Sequence, residues 1–150
     1  MYKIFLDTNI VFSYFYAKKE NKKNVATLLF NFLRKHNYKI LISDLVKEEL
    51  CRNADKIKIP ENELNKEIKN FIIKPDIEIA DNILFKINPL LLDLSKNDKI
   101  ILTTAIFYKA NIFITGNRKD FEKLYGRKIL NTYIFSLKES IKFILKSYKC

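Results

Sequence analysis

The chain alternates short apolar runs with longer segments whose apolar residues recur every three or four positions. Three of the short runs, at 3–6, 39–42 and 112–115, are rich in β-branched and aromatic residues and predict β-strands. Helical periodicity marks the segments 25–34, 44–52 and 137–145. Strands that alternate with helices predict an α/β fold, in which a central parallel β-sheet is flanked by α-helices.

Polar residues mark the starts of two of these helices. Ser43 or Asp44 stands where the helix after the second strand needs an N-cap. Ser136 and Glu139 have the spacing of a capping box at the start of the last helix. The apolar faces that we expect to be buried consist of Val25, Leu28, Leu29, Phe32 and Leu33 in the first helix of the three, and of Leu137, Ile141, Ile144 and Leu145 in the last.

The segment 99–110 favours two structures at once. Its β-branched and aromatic residues are typical of a strand. However, it is longer than a usual strand, and Asn97 or Asp98 stands where a helix would have its N-cap. We therefore predict a buried helix.

The middle of the chain, from 57 to 94, has a weaker pattern than the rest. It is helical in character, and Pro60, Pro75 and Pro89 divide it into pieces. A length of 150 residues suits one domain with a substantial core. We predict a single domain over 1–150, in which 57–94 is a helical insert or cap that covers the sheet, closes over a site or meets a partner.

The composition is strongly basic, with a formal net charge of +11. A basic surface attracts polyanions and suits a partner with a phosphate backbone. The same excess of lysine also arises from a compositional bias, because the chain is rich in Lys, Ile and Asn throughout. Charge alone therefore indicates nucleic-acid contact without establishing it.

Several classes of site and location are excluded or disfavoured by composition. Cys51 and Cys150 lack the spacing of a zinc site or a disulfide framework. Gly116 and Gly126, as the only glycines, cannot form a P-loop or a dinucleotide fingerprint. His36 is the only histidine, so histidine-based catalysis has little to draw on. No apolar run is long enough to cross a bilayer, and we expect a soluble, cytoplasmic protein without membrane contact.

Four acidic residues follow predicted strands or begin the helices next to them. Asp7 separates two apolar segments, Glu49 lies in the helix after the second strand, Asp98 is near the start of the long helix, and Asp120 follows the third strand. Each taken alone has an ordinary explanation, since Asp7, Asp98 and Asp120 can cap helices and Glu48 beside Glu49 must share its helix surface. In parallel sheets, however, ligands gather at the carboxyl ends of the strands, so these acids can converge.

A cluster of carboxylates in a basic protein predicts a divalent cation. Like charges that lie close together repel and raise one another's pKa unless a metal neutralises them. Oxygen ligands without His or Cys suit Mg²⁺ or Mn²⁺. Such an ion supports attack of water on a phosphodiester bond, and the basic surface would gather the polyanionic substrate.

The same segments resemble the PIN-domain ribonucleases, in particular their prokaryotic toxin-like branch. The resemblance covers nearly the whole chain, with 57–94 the least anchored part, and its strength is that four weak motifs occur in order. In the second motif the glutamate stands six residues after a serine, and this spacing from Ser43 selects Glu49 over Glu48. The four motifs are Asp7-Thr8-Asn9 after an apolar strand, Ser43 with Glu49-Leu50, Asp98 with Ala105, and a strand that leads into Thr115, Asn117, Asp120 and Phe121.

This resemblance implies a Rossmann-like PIN fold, a metal-dependent endoribonuclease activity and a frequent homodimer. Some members of the family have Asp where this chain has Asn117, so both Asn117 and Asp120 remain candidates to approach the metal, and one-metal and two-metal sites remain open. The residues that the resemblance implies as catalytic and metal-binding are Asp7, Glu49, Asp98 and Asp120, with Thr8, Asn9, Thr115 and Asn117 in support.

The leading hypothesis is a Mg²⁺- or Mn²⁺-dependent endoribonuclease, either the toxin of a toxin–antitoxin pair or an RNA-processing enzyme. Its partners would be RNA, an antitoxin protein and a second copy of the chain. The alternative is a non-catalytic RNA-binding or scaffold protein that keeps the PIN fold. A DNA nuclease of flap type is disfavoured, because the short chain lacks additional DNA-gripping segments. Most aromatic residues are expected in the core, with Tyr14 and Tyr16 as candidates for exposure.

Overall fold

A computed structural model describes residues 2–77, 91 and 93–149 of the chain. These residues form an α/β fold that contains six strands and seven α-helices. The strands are β1 Lys3–Leu6, β2 Lys39–Ser43, β3 Ile72–Lys74, β4 Ile112–Ile114, β5 Lys128–Ile129 and β6 Thr132–Phe135. The helices are α1 Thr8–Lys19, α2 Val25–Lys35, α3 Asp44–Asn53, α4 Glu61–Ile68, α5 Lys96–Phe107, α6 Arg118–Phe121 and α7 Leu137–Lys149.

The six strands form one sheet in the order β3-β2-β1-β4-β6-β5. All neighbouring pairs are parallel except β5 and β6, which are antiparallel. The two central strands, β1 and β4, are fully buried and contain only apolar residues after Lys3. The predicted α/β class with a central parallel sheet is confirmed. The chain builds outward from β1 to β3 and then returns to place β4 on the other side of β1, which creates a switch point where ligands usually bind.

The three predicted strands are present, but the prediction missed three others. β3 lies inside the middle segment, so the interpretation of 57–94 as helical is wrong at this strand, although α4 in the same segment is helical. The remainder of that prediction, at 78–90 and 92, lies outside the described residues. β3, β5 and β6 have two to four residues each and lie towards the sheet edges. Strands this short carry too few positions for a period-two pattern.

The helix starts agree with the sequence in two cases and correct it in a third. Ser43 caps α3 by accepting a hydrogen bond from the Val46 amide at 3.1 Å. The capping box of α7 is reciprocal, with distances of 3.1 Å from the Ser136 amide to Glu139 and 3.3 Å from the Glu139 amide to Ser136. The segment near 99–110 is helical, as predicted. Its N-cap, however, is Ser95 and not Asn97 or Asp98.

Two residues that were expected to be buried are exposed. Leu28 of α2 is 61% exposed and Leu145 of α7 is 39% exposed, whereas Leu29 and Ile144 beside them are buried. Both exposed leucines line a shallow apolar groove of about 250 Å³ between α2 and α7. The predicted helical periodicity was therefore right, but the buried face of each helix is narrower than the apolar pattern indicated. In the described part of the chain, no helix is long and apolar enough to span a membrane.

Candidate active site

Asp7 lies at the point where β1 ends and α1 begins, and it is 5% exposed. One carboxylate oxygen, Oδ1, accepts a hydrogen bond from the Thr8 amide at 2.8 Å, so Asp7 is the N-cap of α1. The other, Oδ2, accepts from the Thr115 hydroxyl at 2.7 Å. The expectation that Asp7 can cap a helix is therefore confirmed, and the same side chain also reaches across to the end of β4.

The loop after β4 is held against the start of α1. Asn9 Oδ1 accepts from the Gly116 amide at 2.9 Å, and the Tyr125 hydroxyl donates to the Thr115 carbonyl at 2.8 Å. A side chain at position 116 would begin 3.3 Å from Asn9 Oδ1, which is a tight contact. The approach of the two segments thus favours glycine at 116 and fixes Thr115 beside Asp7.

Asn117 joins the remaining two aspartates. Its side-chain amide nitrogen donates to Asp98 Oδ2 at 3.3 Å and to Asp120 Oδ2 at 2.8 Å. Its backbone amide donates to the Thr115 hydroxyl at 3.1 Å, which connects this group to Asp7. Both candidates from the sequence therefore lie near Asp98. Asn117 lines the cleft, whereas Asp120 is not among the lining residues and contacts Asn117 through the hydrogen bond just described.

Glu49 projects from α3 into the same cleft and is half-buried. Its Oε1 atom and the hydroxyl of Thr8 are both buried, and within the described part of the chain neither makes a hydrogen bond of good geometry. The two side chains are nevertheless close enough for Thr8 to lower the pKa of Glu49. Glu48, by contrast, is exposed and pairs with Arg52 one turn later at 2.9 Å. Of the two neighbouring glutamates, Glu49 is the one that faces Asp7.

The cleft has a volume of about 560 Å³ and opens where α1, α3 and α5 approach the carboxyl ends of β1 and β4. Its acidic end contains Asp7, Glu49 and Asp98, which lie far apart in sequence. The other wall includes residues of α1, of the end of α3 and of the short 3₁₀ turn Ala54–Ile57, which the sequence did not single out as site residues. These are Phe12, Ser13, Tyr16, Asn53 and Lys56.

Burial disfavours the ionisation of all three carboxyl groups in the cleft, and the charge of Asp7 adds to this effect at Glu49 and Asp98. Burial raises the pKa of Asp7, although its hydrogen bonds from Thr115 and Thr8 oppose the rise. Burial and then the charge of Asp7 raise the pKa of Glu49. Burial, a hydrogen bond with Asp120 and the charge of Asp7 raise the pKa of Asp98 to about 7. A cation in the cleft would relieve all three shifts.

The donor set fits a hard divalent ion. Three carboxylates and three asparagine side chains line the cleft, and the buried Glu49 Oε1 lies among them. Within the described ranges, no three Asp, Glu, His or Cys side chains are close enough together to form a complete ligand set. Mg²⁺ usually takes one or two carboxylates and retains several waters, so a preformed cage is not required for it. The residues present therefore suit an ion held partly through water.

Fold and cleft together define an α/β protein with an acidic site at the switch point of a mostly parallel sheet. The family model for the PIN domain matches residues 4–127. The chain belongs to the PIN domain family. A search of curated proteins finds no significant match.

Solved structures with the same fold are distant in sequence. VapBC2 from Rickettsia felis, bound to a DNA fragment from its promoter, is 22% identical with a TM-score of 0.59, over 89% of this chain and 98% of that one. FitAB bound to the IR36 DNA fragment is 15% identical with a TM-score of 0.62, over 89% and 94%. VapBC-1 from nontypeable Haemophilus influenzae is 19% identical with a TM-score of 0.55, over 91% and 98%. At these identities the likeness establishes the fold.

Some of the wall residues that were not predicted had a signal in the sequence, and others had none. Phe12, Ser13 and Tyr16 follow Asn9 at the spacings of one helical face, so the start of α1 contained the signal. Lys56 lies in a 3₁₀ turn and carried no such signal. Of the two tyrosines considered for exposure, Tyr16 is 47% exposed, whereas Tyr14 is buried at 4% and the expectation for it was wrong.

Proposed function

We propose that this chain is a Mg²⁺- or Mn²⁺-dependent endoribonuclease that cleaves RNA phosphodiester bonds by attack of water. The observation that supports this most is the cleft itself, where Asp7, Glu49 and Asp98 meet from distant parts of the sequence and have raised pKa values. Membership of the PIN family adds support, because PIN domains are generally nucleases that use divalent metals.

Each residue has a role in this proposal. A bound Mg²⁺ or Mn²⁺ would supply charge neutralisation at the phosphate and a lowered pKa of a bound water. Asp7, Glu49 and Asp98 would hold the ion, and the buried Oε1 atom of Glu49 would accept a proton from the attacking water. Asp120 would complete the acidic group through Asn117. Thr8, Asn9 and Thr115 would keep Asp7 and the loop after β4 in place.

We further propose that the protein acts in the cytoplasm as the toxin of a toxin–antitoxin pair, with an antitoxin protein and a second copy of itself as partners. The support is that the similar folds are those of VapBC and FitAB toxin–antitoxin complexes. A role in RNA processing and a non-catalytic RNA-binding or scaffold role are the alternatives. We retain from the sequence the proposal that 1–150 is a single domain.

Two neighbouring glutamates provide a matched test of the proposed activity. Glu49→Gln should lower the rate of single-stranded RNA cleavage in Mn²⁺ by about 10²–10⁴-fold, the usual contribution of a positioned base. Glu48→Gln removes the same charge from the same helix but outside the cleft, and should change the rate by no more than about twofold. Labelled RNA on a denaturing gel measures both, with EDTA to test the need for metal and DNA of the same sequence to test the substrate.

Three outcomes would contradict the proposal. Equal losses in the two variants would mean that Glu49 has no special role. Cleavage that persists undiminished in EDTA would reject the metal. Binding of RNA by the wild-type chain without cleavage in Mg²⁺ or Mn²⁺ would favour the scaffold alternative.

A further inference from the structure

The cleft extends past the acidic residues along one face of α1. Asn9, Phe12, Ser13 and Tyr16 are spaced as neighbours on a helix surface, and all four line the cleft. At a rise of about 1.5 Å per residue, Tyr16 lies about 12 Å along the helix axis from Thr8. One face of α1 therefore joins the acidic end to an aromatic end.

The ring of Tyr16 is exposed, and it does not contribute to the hydrophobic core. It is 47% exposed, whereas Tyr14 on the next face of α1 is 4% exposed. The Tyr14 ring stacks on Phe30 with a centroid distance of 4.1 Å, and its hydroxyl accepts from Arg34 at 2.8 Å. Tyr16 makes no comparable ring or hydroxyl contact with the residues that the structure describes. The exposed ring of Tyr16 is therefore available for stacking with a ligand in the cleft.

A positive charge also lines the cleft. Lys56 comes from the 3₁₀ turn Ala54–Ile57 and lines the cleft together with Asn53, the last residue of α3. Lys56 is exposed, and no ion pair of it occurs among the described residues. The acidic end repels a polyanion unless a metal is bound, so Lys56 supplies attraction where the carboxylates do not.

We propose that this aromatic end is a subsite for one unpaired nucleobase, which stacks on Tyr16 while Lys56 contacts the backbone phosphate next to it. The inference rests on the proposed ribonuclease function, which identifies the bound strand as RNA. The subsite narrows this substrate to single-stranded RNA. Every base has a π-face, so stacking on tyrosine tolerates any sequence. A base inside a duplex is already stacked between its neighbours and cannot occupy the subsite without being splayed out.

Binding in EDTA separates this subsite from the cleavage chemistry. Tyr16→Ala should weaken the binding of a short single-stranded RNA by about 5- to 150-fold, the range for loss of one stacked base. Tyr16→Phe keeps the ring and should stay within about twofold of wild type. Phe107→Ala removes another exposed aromatic, on α5 and outside the cleft, and should leave affinity unchanged. Lys56→Gln should reduce the slope of log K against log salt by about 0.7, as for one phosphate contact on a single strand.

The absence of tryptophan from the sequence allows a direct measurement at the same position. Tyr16→Trp introduces a single indole, whose fluorescence should be quenched by single-stranded RNA and much less by a duplex of equal length. This reporter also serves if Tyr16→Ala fails to fold. An RNA with abasic sites throughout should bind without quenching.

The results distinguish the subsite from the proposed activity. RNA cleavage with no effect of Tyr16→Ala on binding or products would overturn the subsite and leave the nuclease. Single-strand binding that depends on Tyr16, without cleavage, would support the subsite and overturn the nuclease. Equal quenching of the Tyr16→Trp fluorescence by duplex and single-stranded RNA would also overturn the subsite. So would a result in which Tyr16→Ala weakens the binding of a protein partner but not the binding of RNA.

Discussion

Replacing Asp98 with Asn should stabilise the protein in EDTA, although it removes a residue that we propose to be essential. Asp98 is 9% exposed and shares the cleft with Asp7. Burial, Asp120 and Asp7 raise its pKa from 3.8 to about 7. Ionised Asp98 therefore destabilises the folded chain when no cation is present. The amide of Asn has a similar shape without the charge.

The size of the effect follows from the pKa. A rise from 3.8 to about 7 corresponds to at most about 4 kcal/mol, at about 1.4 kcal/mol per pH unit. Because the cleft is open to solvent, screening should reduce this to about 1–2 kcal/mol. For a chain of this length each kcal/mol moves the melting temperature by about 2–4 °C, so we expect a gain of about 2–8 °C.

The raised pKa also determines how the gain in stability depends on pH. A carboxyl group whose pKa is higher in the folded state favours folding below the unfolded pKa, and this contribution is lost as the pH rises through the folded value. The gain from Asp98→Asn should therefore be absent near pH 3.8, grow as the pH approaches about 7, and be complete above it.

Thermal melts in EDTA, followed by circular dichroism between about pH 5 and about pH 8, measure this gain. Asp55→Asn, at an exposed aspartate, is the matched control and should show no comparable gain. A loss of stability in Asp98→Asn at the higher pH, or a gain of equal size at every pH, would refute the idea of electrostatic crowding in the cleft.

Two further substitutions test other parts of the site. Thr115→Val removes the donor to Asp7 Oδ2; it should raise the pKa of Asp7 further and weaken Mn²⁺ binding by about 10- to 100-fold in calorimetry. Thr132→Val, at another buried threonine, is the control that should leave metal binding unchanged. Ser43→Ala removes the N-cap of α3 and should reduce the free energy of unfolding by about 0.5–2 kcal/mol in denaturant melts; no loss would mean that the cap is dispensable.

The parts of the fold that could be predicted are those with strong local signals. β1 and β4 are buried on both sides, so their residues form unbroken apolar runs. Ser136 and Glu139 specify their helix start through contacts three residues apart. Asp7 was conspicuous because a carboxylate between two apolar segments needs a partner, which is Thr115 at a sequence separation of 108.

The parts that could not be predicted depend on contacts between distant segments. β3 is a strand because β2 lies beside it, and its own three residues do not require that structure. Near the start of α5, the residues Ser95, Asn97 and Asp98 are all good cap residues by type, and the tertiary position of the chain decides among them in favour of Ser95. The exposure of Leu28 and Leu145 likewise reflects how closely α2 and α7 approach, which periodicity does not encode.

The pairing of Asp7 with Thr115 also has a consequence for synthesis on the ribosome. Asp7 leaves the exit tunnel well before its partner, which belongs to the loop after β4 and follows Asp7 by 108 residues. Until then β1 lacks one of its two neighbouring strands, and Asn117 cannot link Asp98 to Asp120. A truncated polypeptide that stops before β4 would therefore contain three of the four acids but not their assembled geometry. Any hydrolytic capacity would be withheld from the growing chain until the loop after β4 has emerged.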